Sequence, residues 1–89
     1  MHFEWDRAKA ERNRRNHKVT FDEAVSVFHD PLSATFADPD HSAGERRLLT
    51  VGYSARDRLL VVSNVEGNET IRIISARLAS AAERKRHET

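Results

Sequence analysis

The stretch NETIRIISARLAS, residues 68–80, carries Arg72 between isoleucines and Arg77 just after the apolar run. A guanidinium keeps its charge, so one drawn toward a core needs an anionic partner. That partner is either a carboxylate of the same chain, with Glu45, Glu69 and Asp38 as candidates, or a phosphate from outside. Strand alternation sets Arg72 opposite Ile71 and Ile73, and Arg77 stands at the strand exit, so the two can grip successive phosphates. Arg46 and Arg47 are adjacent and point to opposite faces. Arg47, sharing a face with Glu45, is the one expected beside Arg72.

Proton transfer has its own candidates. Glu45 can serve as a general base, although arginines that hold it would lower its pKa and weaken it in that role. It can equally be an ion-pair partner that fixes arginine orientation. Lys9, Asn13 and His17 recur every four residues and form one slowly drifting helical stripe. An imidazole at its end suits proton transfer, or simply complements the helix dipole on a solvated face. His87 is either a proton donor or a frayed terminal residue, and His41 in DPDHS fits a turn better than a catalytic post. The five histidines show no ligand spacing and cysteine is absent, so no metal site is expected. No P-loop, GxGxxG or nucleophile elbow is present, and no cofactor is expected.

These residues sit in an 89-residue chain, 38% hydrophobic and 33% charged, which reads as one domain over residues 1–89 with a modest core. No apolar run can cross a bilayer and MHFEWDRAKA lacks a secretory apolar region, so a cytoplasmic protein is expected. Net charge is +1, but its sign changes along the chain. Residues 7–18 sum to +5, residues 19–45 to −6 and residues 46–89 to +4. Twelve of the fifteen cations are arginine, whose planar fork matches carboxylate and phosphate, although composition bias of the genome gives the same excess.

The elements that must position these groups are legible. HFEW alternates and forms a short strand or extended arm, and Asp6 can N-cap a helix over residues 7–17. Thr20-Phe21-Asp22-Glu23 is a capping box opening a helix over residues 21–29, with Phe21, Ala24, Val25 and Phe28 as its core stripe. Asp30-Pro31 stops it. Strands are expected over residues 32–36, 45–54, 58–66 and 70–76, with hairpins between the last three. Ser80-Ala81-Ala82-Glu83 is a second capping box, opening a short basic helix that reaches about residue 88. The order (β)ααββββα defines an α+β fold on an antiparallel sheet.

Three blocks together carry a resemblance: FEWDRAKAERNRRNHKVTFDEAVSVFHDP, DPDHSAGERRLLTVGYS and RIISARLASAAERKRHE. Their order and spacing resemble the BrnT family, toxins of bacterial type II toxin–antitoxin pairs. The resemblance implies a RelE-like fold, ribonuclease activity that inhibits translation, and neutralisation by a BrnA-like ribbon-helix-helix antitoxin. It implies a heterotetrameric complex that reaches DNA only through the antitoxin. Three positions depart from the family pattern, and the first, Asn16 for a lysine, removes one possible phosphate contact. K-H-G-V is here Asn16-His17-Lys18-Val19, which puts a side chain where a left-handed glycine is convenient, at about 1 kcal/mol. A position often tyrosine is His87.

Cleaving RNA without metal requires a base for the 2′-hydroxyl, an acid for the leaving oxygen, and cations on the phosphate. With the resemblance, Arg72, Arg77, Glu45 and His17 are the expected catalytic set. Lys9, Asn13, Arg47 and His87 are the expected RNA contacts, His87 by stacking on a base. A rival reading keeps the cationic surface and drops the chemistry: a non-catalytic antitoxin-binding module that acts as co-repressor.

Overall fold

A computed structural model of the chain describes residues 1–40 and 46–89. The expected Glu45 and His41 roles therefore fall outside the described residues. The chain runs β1 (His2–Glu4), α1 (Arg7–His17), α2 (Phe21–Val27), β2 (Ala34–Ala37), β3 (Arg47–Tyr53), β4 (Leu59–Glu66), β5 (Thr70–Leu78) and α3 (Ala81–Glu88). The five strands form one sheet in the order β1-β5-β4-β3-β2. Strands β2 to β5 pair antiparallel, as expected, and β1 adds a parallel edge to β5.

Helix α1 starts where the Asp6 carboxylate accepts from the amides of Ala8 and Lys9, at 2.8 and 3.1 Å. It ends at Lys18, which adopts φ 58° and donates its amide to the Arg14 carbonyl. The left-handed position that favours glycine is thus occupied by a lysine. Thr20 caps α2 by accepting from the Glu23 amide, but the Glu23 carboxylate does not return to Thr20. It accepts instead from Ser54 Oγ (2.7 Å), Arg58 Nε (2.9 Å) and Arg58 Nη2. Only half of the expected box forms, because a half-buried guanidinium makes the stronger claim on this buried carboxylate. Helix α2 also stops two residues earlier than expected, with Phe28 as its cap. Asp30 then ties the helix end to the sheet, accepting from the amides of Leu32 and Tyr53. Gly52 permits this approach, since a Cβ there would stand 2.8 Å from the Cβ of Ser33 and 3.1 Å from Val27 Cγ1.

The main core lies between α1, α2 and one sheet face. Val19, Phe21, Ala24 and Val27 meet Leu60, Val62, Ile71, Ile73 and Ala76, with Phe3 and Trp5 packed at the margin. Trp5 meets Phe21 edge to face, 5.8 Å between ring centroids. The other face carries a smaller cluster of Val51, Leu59 and Val61, flanked by Leu49, Tyr53 and Ala79. Helix α3 contributes no buried residue and covers that face only at one end.

Candidate functional site

Register decides which side chains share the second face. Arg47 pairs with Val65, Val65 with Arg72, and Arg72 with Glu4, so these four stand in one row across β3, β4, β5 and β1. The next rows are Phe36, Leu49, Ser63 and Ser75, then Ala34, Val51, Val61 and Arg77. Ser63 pairs with Ser75 while Asn64 pairs with Ile73, so Ile74 is an extra residue in β5. That bulge shifts the alternation. Ile71, Ile73 and Ala76 all reach the helix-covered core, whereas Arg72 and Arg77 both reach the opposite face.

Between these rows and α3 lies a groove of about 550 Å³, lined by Leu32, Ala34, Phe36, Leu49, Val51, Val61, Glu83, Arg86 and His87. Its floor is apolar and its rim near α3 is charged. The sheet face therefore offers Arg47 and Arg72 at one end and Arg77, Arg86 and His87 at the other.

Arg77 is not open to an outside anion on all sides. Its Nη1 and Nη2 donate to the two carboxylate oxygens of Glu83, at 2.7 and 2.9 Å, and Nη1 also reaches the Leu78 carbonyl. Glu83 is the partner, and it was not among the carboxylates considered from sequence. The Arg77 hydrogen bond, with help from the Ser80 amide, lowers the Glu83 carboxyl to about 2 despite partial burial. Ser80 and Glu83 complete the expected second capping box. One carboxylate thus starts α3 and fastens it to β5.

At the far end of α3, Tyr53 Oη donates to Glu88 Oε2 at 2.6 Å, which raises the phenol above its ordinary value. The His87 ring lies against Tyr53, 6.0 Å between centroids, and is half-buried on the groove wall. Glu83, Tyr53 and Arg86 were missed from sequence. The alternation of residues 47, 49, 51 and 53 on one strand face was a usable signal for Tyr53. The second capping box was one for Glu83.

The α1 residues are placed elsewhere. Asn13 is only 6% exposed, which corrects its expected place on an exposed rim. Its Nδ2 donates to the carbonyls of Val19 (2.9 Å) and Ala76 (2.8 Å), and its Oδ1 accepts from the Ala76 amide (3.0 Å). The side-chain amide stands in for a neighbouring strand where β1 has ended. Sequence spacing could not distinguish this from a solvated stripe, since both use the same helix face. Lys9 and His17 are exposed, but α1 packs with the Ile71, Ile73 and Ala76 side of the sheet, away from Arg47, Arg72 and Arg77. Among the described residues no three His, Asp or Glu side chains gather as a metal site would require. No helix of the described residues is long and apolar enough to cross a membrane.

The α+β fold thus has one sheet face covered by α1 and α2 and a second face on which Arg47, Arg72 and Arg77 stand. The class is resolved further by comparison. The family model for the ribonuclease toxin BrnT of type II toxin–antitoxin systems matches residues 5–83, and the chain belongs to that family. Its fold is similar to the crystal structure of the Brucella abortus ribonuclease toxin BrnT, with a TM-score of 0.70 and 23% identity over 90% of this chain and 97% of that one. No curated protein sequence matches the chain.

Proposed function

We propose that this chain acts as a single toxin domain that cleaves RNA in the cytoplasm by metal-independent acid–base chemistry on the open sheet face, and so inhibits translation. The observation that carries the reading is the Arg47–Val65–Arg72 row beside the groove. The backbones of β3 and β5, separated by one strand, stand roughly 10 Å apart, so the Arg47 and Arg72 side chains rise from positions that can reach neighbouring phosphates of one bound strand. Two Arg77 donors engage Glu83 and a contact to Leu78 adds a third, which leaves the others to a phosphate oxygen. Glu83, held near a pKa of 2, is a poor base at neutral pH, and His87 on the groove wall is the better-placed proton-transfer group. Lys9 and His17 would meet only RNA that continues past the sheet edge.

The same reading includes a ribbon-helix-helix antitoxin of the BrnA type, a heterotetrameric complex, and DNA binding through the antitoxin alone. Support comes from the family and from an open face that a protein with acidic side chains can cover. The experiment is incubation of purified chain with total RNA in EDTA, beside Arg72→Ala. Cleavage that persists in EDTA and falls at least tenfold in the variant is expected. Cleavage abolished by the chelator overturns metal independence. An intact wild-type chain that leaves RNA whole overturns the enzyme reading in favour of a co-repressor.

A further inference from the structure

We propose that the apolar groove is a nucleobase subsite: one unstacked base of the bound RNA lies on Phe36, while its flanking phosphate rests on the Arg47–Arg72 row. This deepens the proposed function and rests on it for the identity of the ligand.

Phe36 is 51% exposed, although it is a large aromatic on a sheet face with an apolar cluster beside it. It sits on β2, paired with Leu49, so its ring borders the groove, and among the described residues β2 is the edge of the sheet, with no strand on its outer side. Arg47 lies two residues before Leu49 on β3, about 7 Å along the strand and on the same face. A base on Phe36 and its phosphate at Arg47 are therefore separated by a single step of the pleat. The groove's volume of about 550 Å³ falls in the range of small-ligand sites, which is ample for a base with its ribose. Leu49, Val51 and Val61 supply a flat apolar floor, and Arg86 and His87 supply polar groups at the inner end where base edges would point.

An aromatic on an open sheet face next to a cationic row is the arrangement that holds single-stranded RNA by stacking. A partner protein would find the same apolar floor. The charge pattern favours RNA, because Arg86 lines the groove at α3, the Arg47–Arg72 row lies one row beyond Phe36 and Leu49 on the same sheet face, and the described acidic lining residue, Glu83, pairs with Arg77.

The test compares wild type, Phe36→Ala and Phe36→Tyr on a short random-sequence single-stranded RNA, measuring cleavage. The same three proteins are titrated with the 2′-O-methyl form of that oligonucleotide, which binds but cannot be cut at the 2′-hydroxyl. Loss of one stacked base is expected to weaken binding roughly tenfold in Phe36→Ala, to raise KM more than it lowers kcat, and to be restored in Phe36→Tyr. Phe36 is half out in solvent, so the variant should keep its thermal midpoint. Oligonucleotide binding that is unchanged in Phe36→Ala overturns the subsite and leaves the nuclease reading intact. Binding that depends on Phe36 without any cleavage by wild type keeps the subsite and overturns the nuclease. Binding by none of the three overturns the subsite.

Discussion

Arg72 and Arg77 are five residues apart on β5, an odd spacing that regular alternation would send to opposite faces, yet both lie on the open face. The extra residue Ile74 between them absorbs the parity. Core and site are satisfied together, since the same shift brings Ile73 and Ala76 to one side and the arginines to the other.

The row predicts a salt-dependent phenotype. Arg47→Ala should weaken RNA binding across all sequences and reduce the slope of log affinity against log salt by about one, as for any single phosphate contact. Arg72→Ala should do the same and also lower kcat, because it stands at the centre of the row, between β4 and β1. Titrating binding at several salt concentrations checks both. An unchanged slope in both variants would remove the row from the phosphate path.

Glu83 predicts an acid-sensitive attachment of α3. Its folded carboxyl sits at about 2 against an ordinary 4.5, so the unfolded chain takes up a proton first as pH falls. Stability from the Arg77 pair is complete above about pH 4.5 and is lost as pH drops toward 2. Partial exposure of Arg77, 43% of its side chain, screens the pair, so the loss should be about 1 kcal/mol. Urea melts at pH 5 and pH 3 should show a smaller drop for Glu83→Gln than for wild type by that amount.

Much of this arrangement is legible in the sequence, and the exceptions have common causes. Helix starts at Asp6, Thr20 and Ser80 are local chemistry, and each falls where the side chain says it should. Pairing of β3, β4 and β5 follows from their apolar runs, and strand parity puts Arg47 with Arg72. What fails is whatever depends on a distant partner. Glu23 reads as a capping residue until Arg58, thirty-five positions on, claims its carboxylate. Asn13 reads as surface until the free edge of β5, sixty-three positions on, needs a donor and an acceptor. The parallel placement of β1 leaves no mark in HFEW, because a three-residue strand alternates in the same way in either direction.

Lys18 predicts a gain. At φ 58° a lysine carries a steric cost that glycine lacks. Its carbonyl, which accepts from Arg58 Nη2 at 3.0 Å, is backbone and survives substitution. Lys18→Gly should stabilise the fold by about 1 kcal/mol, read as a higher urea midpoint at unchanged slope.

Asn13 predicts a loss of stability with no direct loss of chemistry. Asn13→Ala leaves the amide and carbonyl of Ala76 and the carbonyl of Val19 without this partner at a buried edge. The expected cost is about 2–3 kcal/mol. Activity per folded molecule, measured well below the variant's thermal midpoint, should stay near wild type. A selective loss of RNA affinity in a stably folded Asn13→Ala would return this residue to the RNA path.

The Glu23–Arg58 pair predicts non-additivity. The Glu23 side chain is 4% exposed and its carboxyl is held below the ordinary range, first by the Arg58 hydrogen bonds and then by Ser54. Arg58→Met removes the main counter-charge and leaves a buried carboxylate with Ser54 and the more distant Arg56, 3.9 Å away and largely exposed. The cost should be about 3 kcal/mol at neutral pH. It should shrink below about pH 4.5, where protonation relieves the unpaired charge. Adding Glu23→Leu to Arg58→Met removes that charge altogether, so the double variant should recover a large part of the loss. A double-mutant cycle in urea gives the coupling, expected at about 1–3 kcal/mol. Additive losses would mean that the two side chains stabilise α2 and the β3–β4 turn independently, despite their contact.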